Sequence, residues 1–327
     1  VEDPLMDLYD QVLAAKKKEY TIRYLMENEE ALRDGKDPTR TIAQLYGALI
    51  SASQDVELYS TFDREEYFEN PIAMPFFIPE LDNMTGGVGK TDVVWLSGRP
   101  GTHKTTYLKW MATNWVIRNK RVLFISNENA ASTIFASIDA AISGWNPIKT
   151  RLGGWTESDK RRVKAAAYVA TLGGGEVIVP KKGRAVLSDI IALAEEYQPD
   201  ALLVDGVYLV RPTESFRGAR WERETEVSQG LKAFALERNC PVIGTIQQGR
   251  KDEGAKATRD GVAGTDSYLR DADIFFATYY LDKYKLMEII KNRWGFEGTV
   301  LNIEIQFERM KVSVKKAKFV EEEEDDD

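Results

Sequence analysis

The chain has 327 residues, of which 43% are hydrophobic, which is enough for one large domain with a buried core and a smaller appendage. Its net charge of −8 argues against nucleic-acid binding over the whole surface but is compatible with a local basic channel. No apolar run approaches the roughly 20 residues that cross a bilayer, and there is no secretory signal, so we expect a cytoplasmic protein without membrane partners. The single cysteine, Cys240, cannot form an internal disulfide and fits a reducing compartment.

Residues 1–75 are predicted to form a small helical extension. Apolar residues recur at helical spacing in 4–34 and again in 39–52, and a proline-containing connector follows over 69–80. This section is too small to hold a core of its own. We therefore expect it to pack against another surface, such as that of a neighbouring copy.

From residue 81 onward, short apolar runs alternate with segments of helical periodicity. The predicted strands are 92–97, 121–126, 176–179, 201–206, 241–246 and 273–280, and the predicted helices between them are 105–119, 131–143, 158–171, 186–197 and 221–238. Continuous apolar strands separated by helices indicate an α/β fold with a parallel sheet covered on both faces. Three further strand patterns, 285–291, 299–307 and 310–315, predict antiparallel strands at one edge of that sheet.

The segment 98–106, GRPGTHKTT, lies between a predicted strand and a predicted helix and matches the phosphate-binding pattern G-x-x-x-x-G-K-[ST] with one exception. A tight loop at a helix N-terminus presents unpaired backbone N–H groups and the positive end of the helix dipole to an anion. Lys104 is predicted to bind the β and γ phosphates of ATP, and the Thr105 hydroxyl to ligate Mg²⁺. The predicted nucleotide-binding residues are Gly98, Arg99, Pro100, Gly101, Thr102, His103, Lys104, Thr105 and Thr106.

The exception is His103, the only histidine of the chain, which stands where the pattern has glycine. Glycine is usual there because the backbone adopts a positive φ around the phosphate. A non-glycine residue held in such a conformation costs about 1–3 kcal/mol, although histidine tolerates it better than most residues. Two interpretations remain open: a working loop that accepts histidine, and a loop that keeps the fold but binds nucleotide weakly.

A second glycine-rich stretch, TGGVGKT at 85–91, looks similar when it is taken alone. No strand is predicted before it, and the segment after it has the pattern of a strand and not of a helix. Two glycines before a strand indicate a turn. The nucleotide loop is therefore assigned to 98–106.

Polar residues after the predicted strands supply the other parts of a hydrolytic site. Asp205 ends a predicted strand, and a carboxylate at the C-terminal end of a parallel strand points into the crevice where ligands bind, so we expect it to hold Mg²⁺. Glu128 is assigned to water activation and Gln247 to hydrogen bonding with the γ-phosphate. The alternatives are a strand-end cap for Asp205, a helix N-terminal acid for Glu128 and ordinary loop polarity for Gln247.

Lys291 and Arg293 lie near the end of an edge-strand pattern, far along the chain from the loop. They are poorly placed to reach a nucleotide on their own chain, so we expect them to act on that of a neighbour. An arginine supplied in this way contributes about 10³–10⁵ in rate. The alternative is a basic turn without a catalytic role.

In this order, the motifs resemble those of the DnaB-type replicative helicases, the hexameric branch of the RecA-like ATPases. The resemblance runs from about 76 to 315. Its carriers are the glycine-rich turn, strand and loop that end in SGRPGTHKTT, then FISNEN, LLVDGVYLV, VIGTIQQGR, GTDSYLRDADIFFATYY and, most specifically, IIKNRWGFEGTV.

This resemblance implies a RecA-like P-loop NTPase core over 76–318 that binds ATP and Mg²⁺ and translocates on single-stranded DNA as a homo-oligomer, a hexamer. Lys104 and Thr105 then bind phosphate and Mg²⁺, Glu128 activates water, Asp205 organises Mg²⁺, Gln247 senses the γ-phosphate, and Lys291 and Arg293 act across the interface. The resemblance does not extend to the N-terminal collar of the family, so we expect phage-type relatives to be the closer likeness, in a bacterium or phage-infected cell. The helices of 1–75 then correspond to the family's linker helix.

Two basic, glycine-containing segments, 211–223 and 249–260, match the loops with which this family grips single-stranded DNA. Grooves that track a DNA backbone combine such cations with aromatic side chains, here Phe216 and Trp221. The alternative is a solvated flexible loop. The predicted DNA-binding residues are Arg217, Arg220, Arg223, Arg250 and Lys251.

Two other functions share this fold and stay open: a RecA-like recombinase or annealing ATPase, and a non-motor helicase loader or assembly ATPase. The acidic tail, 319–327, ends in EEEEDDD. It is interpreted either as a solubilising segment or as a docking site for a primase, polymerase or single-strand-binding protein.

Overall fold

The computed structural model describes residues 73–146, 148, 152–181, 186–248, 266–281, 283–307 and 310–315, all within the compact unit Pro71–Asp327. The helices predicted in 4–34 and 39–52, the acidic tail and the basic segment 249–260 with Arg250 and Lys251 lie outside the described residues. Within the described ranges, no helix combines the length and apolarity needed to cross a membrane.

The order of helices and strands follows the predicted alternation. In chain order the described elements are β1 Ala73–Met74, α1 Pro79–Thr85, β2 Val88–Gly89, β3 Val93–Gly98, α2 Lys104–Val116, β4 Arg121–Ser126, α3 Ala131–Ser143, α4 Glu157–Thr171, β5 Glu176–Ile178, α5 Leu187–Tyr197, β6 Ala201–Asp205, a 3₁₀ turn Val207–Leu209, α6 Arg220–Arg238, β7 Val242–Gln247, α7 Asp266–Asp271, β8 Ile274–Leu281, β9 Tyr284–Asn292, β10 Val300–Gln306 and β11 Lys311–Val314.

Nine of the described strands form one mixed sheet in the order β11–β10–β9–β8–β3–β7–β6–β4–β5. The six strands from β8 to β5 run parallel, whereas β9, β10 and β11 run antiparallel at one edge. Every residue of β3 and β6 is buried, as expected for strands covered on both faces. The predicted parallel sheet with antiparallel C-terminal edge strands is confirmed.

The core lies on both faces of this sheet because successive side chains of a strand point to opposite sides. On one face, Val94 and Leu96 of β3 belong to the same apolar cluster as Trp115 of α2. On the other face, Trp95 packs in a cluster with Leu231 of α6. The helices thus cover both faces of the sheet. Because the six strands from β8 to β5 run parallel, their carboxyl ends lie together at one end of the sheet, which we call the carboxyl edge; the end where these strands begin is the opposite edge.

Strand β1 and helix α1, both before β3, were not predicted: β1 lies within the connector 69–80 and pairs with β2, and α1 begins at the end of that connector, at Pro79. Proline suits the first position of a helix, since the N–H that it lacks has no partner within the helix there. The helix ends at Gly86, and both Gly86 and Gly87 have a positive φ. The stretch 85–91 is therefore a turn that leads through β2 into β3, as the sequence predicted.

Candidate nucleotide-binding site

The loop 98–106 connects the carboxyl end of β3 to the first turn of α2. Gly101 and His103 both have left-handed backbone conformations, with φ of 84° and 65°. A side chain at Gly98 would collide with Thr278 of the neighbouring strand β8 and with Thr102. The loop is therefore tightly wound and approaches β8 closely, and the predicted positive φ of His103 is confirmed.

The side chain of His103 is held by aromatic neighbours from the edge strands. Its ring centroid lies 4.7 Å from that of Phe307 and 6.4 Å from that of Tyr280. Burial, together with the positive charges of Lys285 and Lys104, lowers the pKa of His103 to about 4. The residue is thus a neutral ring at physiological pH, and its packing stabilises a backbone conformation that is otherwise strained.

Lys104 is the first residue of α2 and folds back over the loop. Its Nζ donates to the carbonyl oxygens of Gly98 (2.8 Å) and Arg99 (2.9 Å). Burial lowers the pKa of Lys104 to about 8, while the carboxylates of Glu128 and Asp205 act in the opposite direction. Its charge lies within electrostatic reach of both carboxylates, at the N-terminus of a helix, where an anion is favoured.

Asp205 is the centre of a hydrogen-bond network at the carboxyl edge of the sheet. It is 1% exposed and accepts a hydrogen bond from Thr105 Oγ1 at 2.8 Å (Oδ1). Thr245 Oγ1 donates to the same oxygen at 3.0 Å, and Ser126 Oγ and Asn129 Nδ2 each donate to Oδ2 at 3.4 Å. Burial raises the pKa of Asp205, and the hydrogen bond from Thr105 opposes this shift.

A hydroxyl and a carboxylate in direct contact suit Mg²⁺, because this ion takes oxygen ligands and typically keeps several waters besides one or two carboxylates and the phosphates of a substrate. No group of three or more metal-binding His, Cys, Asp or Glu side chains was found among the described residues. The pair Thr105 and Asp205 thus offers two oxygen ligands of the kind that Mg²⁺ takes, and waters or a nucleotide would have to supply the others.

Glu128 lies two residues beyond β4, at the same edge, because Ser126 of β4 pairs with Asp205 of β6. Its side chain is exposed, and its Oε1 accepts a 2.7 Å hydrogen bond from the hydroxyl of Tyr208. Sequence reasoning did not single out Tyr208. Its position three residues after Asp205 was the only available signal.

Gln247 also lies beside the loop, since it is paired in register with Gly98 across β3 and β7. The next residue, Gln248, donates its N–H to the carbonyl oxygen of Gly98 at 3.2 Å. The structure thus brings together the loop, Glu128, Asp205 and Gln247 at one edge of the sheet.

Arg293 lies at the opposite, amino-terminal end of the parallel strands, whereas Lys291 is level with Trp95, part of the way along them. Strand β9 runs antiparallel to β8, and Asn292 pairs with Ile274, which itself pairs with Val94 near the start of β3. Arg293 is therefore level with Val93, about 16 Å of strand away from Gly98 at about 3.3 Å per residue. Its guanidinium pairs with Asp273 at 3.0 Å, and Lys291 Nζ donates to the carbonyl oxygens of Leu269 and Arg270.

The first basic segment leaves the carboxyl edge after the 3₁₀ turn and leads into α6. Arg217 is exposed, and its guanidinium donates to the carbonyl oxygens of Glu214 and Phe216. Arg220 is also exposed and pairs at 2.6 Å with Glu224, whereas Arg223 is half-buried. Of these three predicted DNA-binding residues, Arg217 is the one whose charge is exposed without a carboxylate partner among the described ion pairs.

Several known proteins are similar to this chain in sequence. The family model for the DnaB-like helicase C terminal domain matches residues 74–315. Replicative DNA helicase DnaB of Geobacillus stearothermophilus is 27% identical over 264 residues, which are 74% of this chain and 58% of the relative. Replicative DNA helicase DnaC of Bacillus subtilis is 27% identical over 297 residues, 84% of this chain and 64% of the relative. The chain thus spans about six-tenths of the length of these two curated relatives.

Two solved structures share the fold. One, described as an ATPase domain, superposes with a TM-score of 0.66 at 19% identity and covers 82% of this chain and 98% of its own. The other, a DnaB-like replicative helicase described with its interactions with primase, superposes with a TM-score of 0.65 at 18% identity, over 94% of this chain and 77% of its own. The predicted RecA-like arrangement of sheet and helices is therefore confirmed.

Proposed function

The chain belongs to the DnaB-like helicase C-terminal domain family, and from this premise we propose that it is the motor of a replicative DNA helicase. It hydrolyses ATP and translocates on single-stranded DNA as a ring of identical copies, six by resemblance to the family. The curated relatives named above are replicative helicases, which favours this function over a recombinase or a loader. We place its work in the cytoplasm of a bacterium or a phage-infected cell.

The loop 98–106 supplies the phosphate site. Its backbone amides and the start of α2 attract the phosphates, and Lys104 exchanges its two carbonyl partners for phosphate oxygens. Thr105 and Asp205 hold Mg²⁺ from the side of the sheet. Bound Mg²⁺ neutralises the charge that develops on the phosphate oxygens during transfer.

The two remaining groups at this edge act on the reacting water and on the γ-phosphate. Glu128 accepts a proton from the water, a step that typically contributes about 10²–10⁴ in rate. Gln247, level with Gly98, donates a hydrogen bond to the γ-phosphate and links its presence to the strand end of β7.

The observation that carries the oligomeric part of the proposal is the distance between Arg293 and the loop of its own chain. Arg293 is paired with Asp273 about 16 Å of strand from the loop, and Lys291, level with Trp95, lies about 10 Å of strand from it. We therefore assign Arg293, and Lys291 with it, to the nucleotide of the next copy. Such an interface joins two different surfaces of identical copies. It gives a closed ring when the rotation between copies closes, and an open filament when it does not.

Single-stranded DNA is bound by Arg217, Arg220, Arg223, Arg250 and Lys251. Arg217, Arg220 and Arg223 lie in the segment 211–223, which begins close to the carboxyl edge, beside the nucleotide loop. A structural change at the phosphates therefore has a short path along the chain to bound DNA. The acidic tail, 319–327, docks a primase, polymerase or single-strand-binding protein. A primase is named with one of the structural relatives.

The test is ATP-driven strand displacement on a forked DNA, with Lys104→Ala as the inactive variant. Lys90→Ala is the matched control, because this lysine belongs to the similar stretch 85–91 that is a turn. We expect displacement by the unaltered chain and by Lys90→Ala and none by Lys104→Ala. ATP turnover together with strand annealing, but without displacement, would favour the recombinase class. Absence of both ATP turnover and annealing would favour a loader.

A further inference from the structure

Tyr208 contacts the carboxylate to which water activation is assigned. Its hydroxyl donates to Glu128 Oε1 at 2.7 Å across 80 positions of sequence. The contact exists because β4 and β6 are adjacent parallel strands, so the residues that follow them emerge side by side. Among the hydrogen bonds between described residues, this is the one that Glu128 accepts.

We propose that Tyr208 is a positioning residue for Glu128, holding one oxygen of its carboxylate so that the other has a single orientation toward the attacking water. The inference rests on the proposed function, in which Glu128 activates that water. An exposed glutamate has three rotatable side-chain bonds, and fixing them costs conformational entropy. A tyrosine fixes its partner at low entropic cost, because its own side chain has only two such bonds.

The backbone that carries Tyr208 is itself held by hydrogen bonds on the N-terminal side of this residue. Gly206 N donates to Thr245 Oγ1 at 2.8 Å, and the same hydroxyl donates to Asp205 at 3.0 Å. The position of the tyrosine is thus tied to that of the carboxylate assigned to Mg²⁺. A hydrogen-bonded supporting shell of this kind is what holds a catalytic group within a fraction of an ångström.

The backbone is also anchored after the ring. Val210 N donates to the carbonyl oxygen of Val207 at 2.9 Å, which closes the 3₁₀ turn. The carbonyl oxygen of Arg211 accepts from Leu187 N at 2.8 Å, which fixes the chain where it leaves the sheet edge. Val207 is fully buried. Tyr208 therefore stands on a turn held at both ends.

Gly206 turns the chain directly after Asp205. Its φ of 86° is a left-handed conformation that favours glycine, and a Cβ added there would be in ordinary contact, at 3.5 Å, with Oε1 of Glu128. Burial and the neighbouring Glu128 raise the pKa of Tyr208, so its hydroxyl keeps the proton that it donates.

The test removes the hydroxyl alone. For Tyr208→Phe we expect the kcat of DNA-stimulated ATP hydrolysis to fall about tenfold, whereas KM and the affinity for a magnesium-bound non-hydrolysable ATP analogue change by less than about twofold. Tyr197→Phe, at the C-terminal end of α5 near the opposite edge of the sheet, is the matched control and should leave all three values unchanged.

Two further measurements separate positioning from a general structural role. In a Glu128→Gln background, Tyr208→Phe should cause no additional loss of kcat, because the two residues act as one unit. A crystal structure of Tyr208→Phe without nucleotide should show the Glu128 carboxylate in more than one orientation.

The outcomes distinguish the two proposals. An unchanged kcat in Tyr208→Phe, an independent loss in the Glu128→Gln background, or one unaltered orientation of Glu128 overturns the inference and leaves the proposed function intact. A folded wild-type chain that does not hydrolyse ATP in the presence of DNA overturns both.

Discussion

The two edges of the main sheet each carry a buried aspartate, and the two residues have opposite surroundings. Asp205, at the carboxyl edge, is 1% exposed, and the four side chains that donate hydrogen bonds to it are neutral. Asp273, at the opposite edge, is 3% exposed and pairs with two cations, Lys232 at 2.6 Å and Arg293 at 3.0 Å.

The different surroundings indicate different roles for the two carboxylates. A buried charge is costly unless it is paired or coordinates a metal. Asp273 has its counter-charges within the chain and therefore fastens the start of β8 to α6 and to the turn after β9. Asp205 has hydroxyl and amide donors instead, which orient it without neutralising it, and this fits the proposed role of Asp205 in holding Mg²⁺ with a nucleotide.

The largest expected effect tests whether the two edges meet across copies. Arg293→Ala should lower ATP turnover by about 10³–10⁵, and Lys104→Ala should abolish nucleotide binding. A mixture of equal amounts of the two variants should recover up to about a quarter of wild-type turnover, since a random arrangement pairs an intact loop with an intact arginine at about one interface in four.

Turnover of the mixture is measured against protein concentration after the copies have been allowed to exchange. Each variant alone, at the same total concentration, is the control. A mixture no more active than its components would mean that Arg293 acts on its own chain or not at all.

The next effect sharpens the contrast between the two aspartates. Asp273→Asn should lower the free energy of unfolding by about 2–3 kcal/mol, because it removes the carboxylate that pairs directly with the largely buried Lys232 and with Arg293. Asp205→Asn should change it by less than about 1 kcal/mol, since its partners are neutral and burial already disfavours its charge. Urea unfolding without nucleotide compares them, and equal losses would contradict the distinction.

A smaller effect concerns DNA, and it compares arginines from the two edges. Arg217→Ala, in the segment that leaves the carboxyl edge, should weaken binding to single-stranded DNA and lower the slope of log affinity against log salt by about 0.7. Arg270→Ala, an exposed arginine near the other edge, should leave the slope unchanged. The measurement is a fluorescence-anisotropy titration at several salt concentrations, and equal slopes for the wild type and Arg217→Ala would reject the assignment.

The smallest effect decides between the two interpretations of His103. His103→Gly relieves the left-handed strain but loses the packing on Phe307, so the two terms oppose each other. We expect the affinity for magnesium ATP, measured by calorimetry, to change by less than about threefold. A gain of tenfold or more would identify the natural loop as a weak binder.

Much of the carboxyl edge could be predicted from sequence, for a simple reason. Parallel strands end at the same edge, so Asp205 and Gln247, as strand-end residues, and Glu128, two positions on, had to emerge close together. The positive φ of His103 followed in the same way from the glycine that the loop pattern requires. These predictions needed only the order of strands and the direction of the chain.

The contacts of the other edge depend on register, which the sequence does not display. Arg293 meets Asp273 because β9 pairs with β8 as far as Asn292, through an irregularity between Phe275 and Phe276. A shift by one residue would turn every side chain of that strand to the other face. The bond between Tyr208 and Glu128 was equally hidden, because it joins two connections and not two strands.

Under the proposed function, Arg293 and the loop of a single copy cannot complete a site by themselves. If n copies associate head to tail in an open row, one terminal loop lacks a neighbour, and the row holds one complete site fewer than it has copies. Closure supplies the last site without adding a subunit. On the same proposal, hydrolysis per molecule is then a property of assembly, and we expect it to fall when the protein is diluted until the copies separate.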